Sequence, residues 1–152
     1  MIGLDIGDVR IGVAAADALG FTAQGLPTIT RSRLEDDLDQ LIMLLDERKA
    51  SRLVVGMPKN MDGSIGFQGK KVRTFVEALL HRIEQRGAAQ PEVVYWDERL
   101  TTVAATRTLI EAGLSRKKRK GATDKLAAVL ILQGYMDREA HIKERGSDGN
   151  DG

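Results

Sequence analysis

The pattern of hydrophobic and polar positions predicts five β-strands. Residues 1–15 form two short runs rich in Ile and Val on either side of a Gly-Asp pair, which is typical of a tight β-hairpin. A third short strand is predicted over residues 25–30. Two further apolar runs, at residues 53–56 and 92–96, predict buried strands.

Between and after these strands, apolar residues recur at helical spacing. The pattern predicts helices over residues 34–45 and 72–83, then from about residue 102 to 112, and finally from about residue 123 to 143. The strands at residues 53–56 and 92–96 each follow a helix that crosses over the sheet. We therefore expect them to run parallel to their neighbours, by the rule of right-handed crossovers. We expect an α/β fold with a mixed five-stranded sheet, its first three strands antiparallel and two parallel, flanked by helices.

Length and composition limit the class of protein. A chain of 152 residues suffices for one domain, which we assign to residues 1–143, with a disordered tail at 144–152. Cysteine is absent, so neither a disulfide nor a thiolate metal site is expected. No apolar run approaches the length of a membrane span, and no signal peptide precedes the first strand. We therefore expect a cytoplasmic protein with no membrane partner.

The formal net charge is only +1, but the charges are unevenly distributed. One unbroken basic run interrupts the pattern before the last predicted helix. Such a run is either a solvated loop or a loop that contacts phosphate groups. Its residues are Arg116, Lys117, Lys118, Arg119 and Lys120.

Acidic residues stand at the ends of predicted elements. Asp5 interrupts the first strand, Asp97 and Glu98 end the last strand, and Asp124 opens the last helix. The carboxyl ends of strands in such sheets meet at one edge, where sites form. Clustered carboxylates suit Mg²⁺ or Mn²⁺. Alternatively, Asp124 compensates the helix dipole and Glu98 pairs with a neighbouring arginine.

Four motifs in this order resemble the YqgF (RuvX) family. They are the glycine-punctuated hairpin at residues 3–14, the strand and loop at 54–64, the Asp-Glu-Arg-Leu-Thr-Thr segment at 97–102, and the helix at 124–133. Together they cover nearly all of the chain ahead of the predicted tail.

The resemblance implies an RNase H-like fold and a metal-dependent nuclease. The family's members are described as Holliday-junction resolvases or as nucleases that trim the 5′ end of pre-16S rRNA. By resemblance, Asp5, Glu98 and Asp124 are the catalytic, metal-binding acids, with Asp97 as a substitute for Glu98. The basic loop at 116–120 would guide a nucleic-acid backbone.

The chain departs from other junction resolvases at two positions. Those enzymes have their middle acid on the strand before the second helix and another acid one turn before the final one. This chain has Gly56 and Gly121 there. The resemblance therefore implies a differently arranged metal site.

Other functions and partners stay open at this point. A similar Asp-Ile-Gly hairpin opens the actin, Hsp70 and sugar-kinase ATPases, but those folds need two domains around a cleft. A second alternative is a non-catalytic nucleic-acid-binding protein on a degenerate nuclease fold. The substrate would be either pre-rRNA or branched DNA, and resolving a junction symmetrically would need a homodimer.

Overall fold

A computed structural model describes the backbone of residues 1–100 and 116–150 and the side chains of residues 1–100 and 125–145. Within these residues the chain forms a five-stranded sheet with helices on both faces. The strands are β1 (Ile2–Ile6), β2 (Arg10–Ala16), β3 (Ala23–Thr30), β4 (Arg52–Met57) and β5 (Glu92–Asp97).

The strand order across the sheet is β3-β2-β1-β4-β5. The first three strands pair antiparallel, and β1, β4 and β5 pair parallel. The predicted hairpin is present, and the Gly7 amide closes it by donating to the Arg10 carbonyl at 2.9 Å. The predicted mixed sheet is therefore confirmed.

Three helices are described: α1 (Leu34–Glu47), α2 (Phe67–Gln85) and α3 (Arg116–Asn150). The first two confirm the predicted periodicity. The prediction of a loop at 116–120 is wrong, because the backbone there is already helical. Arg and Lys are good helix formers, so a basic run can extend a helix as readily as interrupt it. The helix predicted over 102–112 lies outside the described residues.

Each face of the sheet has its own apolar core. Side chains of α1 and α2 cover one face, where Leu4, Val55 and Leu79 are fully buried. Helix α3 covers the other face, where Ala128 and Ile131 are fully buried. Alternate residues of β1 and β4 point to opposite faces, and on both faces most of the buried residues of these strands are apolar.

Helix α3 lies directly on the backbone of β1. A Cβ atom on Gly3 would come within 2.7 Å of the Leu132 Cβ and 3.2 Å of the Ala128 carbonyl oxygen. Farther along the helix, Arg52 of β4 donates a 2.8 Å hydrogen bond to the Tyr135 hydroxyl. These contacts fix the position of α3 over the central strands.

No helix in the described part of the chain is both long and apolar enough to cross a membrane. Helix α3 is assigned as far as Asn150, but no side chain beyond residue 145 is described. The domain boundary at residue 143 and the disordered tail therefore stay predictions.

Candidate active site

Asp5 is a buried carboxylate in the middle of the sheet. Its side chain lies on the α3 face, because Asp5 is two residues after Gly3 on β1 and the pleat alternates. The residue is only 9% exposed, and its register partner on β2 is Gly12, which has no side chain. Burying a carboxylate is costly unless polar or cationic groups compensate it. Such a position is typical of a functional acid.

Glu98 reaches back over the neighbouring strand. It begins a short 3-10 turn, Glu98–Leu100, that follows β5. Its Oε1 atom lies 2.8 Å from the position that a Cβ atom on Gly56 would occupy. The same point lies 2.4 Å from the Ile131 Cδ1 atom of α3. Gly56 therefore leaves a space on β4 that the Glu98 carboxylate and Ile131 share.

The register brings Asp5 and Glu98 together. Gly3 of β1 pairs with Val54 of β4, and extending this register by two residues places Asp5 next to Gly56 on the same face. Adjacent strands lie about 4.8 Å apart. The Glu98 carboxylate above Gly56 thus stands beside the side chain of Asp5. Two carboxylates in one semi-enclosed space are hard oxygen donors of the kind that Mg²⁺ and Mn²⁺ prefer.

Asp97 lies on the other side of the sheet. Its register partner Met57 belongs to the α1/α2 core, whereas the preceding Trp96 belongs to the α3 core. The Asp97 carboxylate accepts hydrogen bonds from the Arg99 guanidinium, the shortest at 2.8 Å, and from the Arg99 amide at 3.0 Å. These bonds, the side-chain ones foremost, hold the pKa of Asp97 below its ordinary value. Glu98, and not Asp97, therefore shares a face with Asp5.

Arg99 connects this strand end to the loop that follows β4. Its Nη1 atom lies 3.3 Å from the Asn60 carbonyl oxygen. Within the loop, the Asp62 carboxylate accepts from the Ser64 hydroxyl at 2.6 Å and from the Ser64 amide at 2.9 Å. These bonds lower the pKa of Asp62. The loop beside the candidate site is therefore held in one turn by its own polar groups and by Arg99.

The backbone places Asp124 within the first turns of α3, one turn before Ala128. The carbonyl of Ala128 lies above Gly3, two residues before Asp5. The side chains of Asp124 and of the basic run lie outside the described residues. Among the side chains of residues 1–100 and 125–145, no group of three or more acidic, His or Cys residues is placed to hold a metal ion. The two candidate acids whose side chains are described are Asp5 and Glu98, and the role of Asp124 as a third stays a prediction.

From the sequence alone, Gly56 is only a position at which other junction resolvases have an acid. The structure shows that it is the empty position into which the acid from the end of β5 reaches. A glycine inside an apolar strand is the available signal, since it often marks close approach of another group. The residue that fills the space could not be identified from that signal alone.

Solved structures with a similar fold define the class of protein. The RuvC protein of T. thermophilus, solved in complex with a Holliday junction substrate, matches with a TM-score of 0.55 at 17% identity, over 91% of this chain and 96% of that one. The yeast mitochondrial Holliday junction resolvase Ydc2 matches with a TM-score of 0.51 at 14% identity, over 94% and 80% of the two chains. The fold is thus the RNase H-like fold of the junction resolvases.

Sequence comparison identifies the family. A model of the RuvX family, described as Holliday junction resolvase, matches residues 1–138. A protein of Desulforamulus reducens named "Putative pre-16S rRNA nuclease" is 49% identical over 92% of this chain and 98% of its own length. A protein of the same name from Shouchella clausii is 52% identical over 92% and 96% of the two chains. The chain therefore belongs to the RuvX family of nucleases.

Proposed function

We propose that this protein is a divalent-metal-dependent nuclease that processes the 5′ end of precursor 16S rRNA. The observation that carries this proposal is the position of the Glu98 carboxylate, 2.8 Å from where a Cβ of Gly56 would be and beside the buried Asp5. An acid reaches back into a space on β4 that only glycine leaves, next to another acid. Carboxylate oxygens brought together in this way are the ligands that divalent cations such as Mg²⁺ prefer.

The residues present fit Mg²⁺ or Mn²⁺. Asp5 and Glu98 would hold the ion from β1 and from the turn after β5, and we assign the third carboxylate to Asp124 of α3. Divalent ions bound in such a cluster stabilise charge on the attacking and leaving oxygens of a phosphodiester displacement. The buried setting of Asp5 restricts its carboxylate, which would hold a bound cation, and through it a scissile phosphate, at the edge of the sheet.

We assign substrate guidance to the basic run Arg116–Lys120. Its backbone forms the start of α3, the helix that also contains Asp124. Five successive cations at a helix start offer contacts to several phosphates without reading sequence. The run would therefore hold the substrate backbone while the acids act on one phosphodiester.

The choice of precursor rRNA as substrate is supported by the names of relatives that are about half identical to this chain over nearly their whole length. Processing of ribosomal RNA in a bacterium would place the protein in the cytoplasm. This supports the cytoplasmic assignment made from the sequence.

Resolution of Holliday junctions is the second candidate function. The description of the matching family supports it. Symmetric cleavage of a four-way junction requires two active sites related by a twofold axis, so this function implies a homodimer. Processing of a single rRNA end makes no such demand.

The decisive experiment is a cleavage assay with Mg²⁺ or Mn²⁺ on two substrates, a 16S rRNA fragment with its 5′ extension and a four-way DNA junction. We expect cleavage of the extended rRNA that EDTA and the Asp5→Asn substitution both abolish. Paired, symmetric cuts in the junction would instead favour resolution. Binding of either substrate without metal-dependent cleavage would overturn the proposal in favour of a non-catalytic binding protein.

A further inference from the structure

A groove of about 490 Å³ opens on the sheet face opposite to Asp5. It lies between the tip of the β1–β2 hairpin and the first turns of α1 and α2. Its lining combines apolar side chains, among them Leu34, Phe75 and Ala78, with charged ones. A groove of this size accommodates a small planar group.

Phe67 stands at the mouth of the groove with most of its surface in solvent. It is the first residue of α2 and is 75% exposed, whereas the core positions of α2 begin at Gly69. The Lys71 ammonium lies 4.6 Å from the centre of the Phe67 ring, and it also pairs with the Asp8 carboxylate at 3.3 Å. One side of the ring is thus held under a lysine, and the rest of it faces solvent.

The charges around the groove are mainly positive. Three cations, Arg31, Lys70 and Lys71, line it. Arg31 is paired with the buried Asp37 at 3.5 Å and Lys71 with Asp8 at 3.3 Å, whereas no salt bridge is found for Lys70 within the described residues. Arg31 is held in place, because its guanidinium lies 5.0 Å from the centre of the Phe75 ring and donates to the Gly7 carbonyl at 3.1 Å. An aromatic ring with an open face beside several cations is the combination that binds unpaired nucleotides, by base stacking and phosphate contact.

The groove is close to the candidate active site. Asp8 lies three residues after Asp5 along the chain, and three residues span at most about 10 Å. The two sites lie on opposite faces of the sheet but share the edge at which β1 ends. A nucleic-acid strand bound at the acids would have to pass over this edge to reach the groove.

We propose that this groove binds a single-stranded segment of the substrate, with one unpaired base stacked on Phe67 and the adjoining phosphate on Lys70. This inference deepens the proposed function and rests on it, because it takes the nucleic acid cut at Asp5 and Glu98 to be the one that extends into the groove. It predicts that the enzyme prefers substrates with a single-stranded extension over fully paired ones.

The test measures binding in EDTA, where no cleavage occurs, to an RNA hairpin with a blunt end and to the same hairpin with a single-stranded 5′ extension. Wild-type protein should bind the extended RNA more tightly. Phe67→Leu, which keeps an apolar side chain but removes the aromatic face, should weaken binding of the extended RNA about tenfold and leave binding of the blunt RNA unchanged. Phe67→Tyr should retain the preference.

Matched controls separate stacking from general effects. Phe21 is 70% exposed and lies in the connection between β2 and β3, away from the groove, so Phe21→Leu should bind both RNAs as wild type does.

Lys70→Gln should reduce the salt dependence of binding to the extended RNA by about 0.7 in log-log slope. A 2-aminopurine in the extension should lose fluorescence on binding to wild type but not to Phe67→Leu.

Equal affinity of the wild type for the two RNAs, or an undiminished preference in Phe67→Leu, would overturn this inference even if the protein cleaves rRNA. Absence of cleavage by the wild type in Mg²⁺ would overturn the proposed function, whereas a preference for the extension that depends on Phe67 would still establish the groove as a binding site. The two proposals therefore fail on different measurements.

Discussion

The carboxylate of Glu98 occupies the space that a side chain on Gly56 would need, with Oε1 2.8 Å from the position of the missing Cβ. An acid at the end of β5 thus packs against β4, an apolar strand that has no acid of its own. It also sets this acid beside Asp5, on the face covered by α3. The candidate site therefore depends on the absence of a side chain as much as on the acids themselves.

Gly56→Ala should lower both stability and cleavage. The new methyl group would lie 2.4 Å from the Ile131 Cδ1 atom and 2.8 Å from Glu98 Oε1, so both must move. We expect a loss of about 1–3 kcal/mol in the free energy of unfolding, typical of overpacking, measured by urea denaturation.

The double variant Gly56→Ala with Ile131→Val separates the two effects. Valine lacks the Cδ1 atom, so the double variant should be more stable than the sum of the single changes predicts. Cleavage should stay low, because the Glu98 carboxylate is still displaced. Full cleavage by Gly56→Ala would show that the position of Glu98 does not matter.

Glu98→Gln and Asp97→Asn should differ sharply in activity. Glu98 shares a face with Asp5. A bound metal ion lowers the activation barrier by several kcal/mol, so loss of the charge on one of its ligands should reduce the cleavage rate about 100-fold or more. Asp97 instead binds Arg99, so Asp97→Asn should stay within about tenfold of wild type. Rates measured on the extended rRNA at saturating Mg²⁺ decide between the two acids, and the reverse order would make Asp97 the ligand.

Asp5→Asn should abolish cleavage without unfolding the protein. Asparagine keeps the shape of the side chain and removes the charge that would hold the cation. Added Mn²⁺ or Mg²⁺ should raise the melting temperature of the wild type by a few degrees and that of the variant by less.

The exposed acid Asp46 of α1 offers a matched control for this experiment. Asp46→Asn removes the same charge and should leave both cleavage and the metal-dependent shift unchanged. Normal turnover by Asp5→Asn would remove Asp5 from the site.

Replacing Arg116–Lys120 by alanine should weaken binding of every nucleic acid, whatever its sequence. Each lost phosphate contact should lower the log-log salt slope by about 0.7–0.9. Alanine maintains the helix, so circular dichroism should be unchanged. A control with Lys117, Lys118 and Lys120 changed to arginine preserves the charge and should bind like the wild type. An unaltered salt slope in the alanine variant would identify the run as solvated surface.

The Asp97–Arg99 pair should contribute to stability only above acidic pH. Hydrogen bonds from Arg99 hold the folded pKa of Asp97 below its ordinary value of 3.8. The contribution is therefore fully present above about pH 4 and is lost as the pH falls through the folded pKa. Urea denaturation between pH 2 and pH 7 should show a shallower acid loss for Asp97→Asn than for wild type. An identical profile would mean that the pair adds nothing, as many exposed pairs do.

The sequence by itself determined the five strands, the hairpin, and helices α1 and α2. These elements follow from patterns over a few neighbouring residues, such as the alternation around Gly7 and the helical spacing from Val72 to Ile83, which report local burial directly. The parallel placement of β4 and β5 followed as well, because crossover connections have one hand. The acids, too, were recognisable as residues out of place in apolar elements or at their ends.

Only the tertiary structure decided which groups meet. Asp97 and Glu98 are adjacent in sequence, yet strand alternation turns Asp97 toward Arg99 while the 3-10 turn carries Glu98 over Gly56. Likewise, the pairing of Lys71 with Phe67 follows from their spacing on α2, but nothing local to Phe67 indicates that the hairpin tip and α1 enclose a groove beside it. Proximity across strands and helices depends on register and on the seating of whole elements. Those are set by the packing of the entire core, and short-range patterns do not contain them.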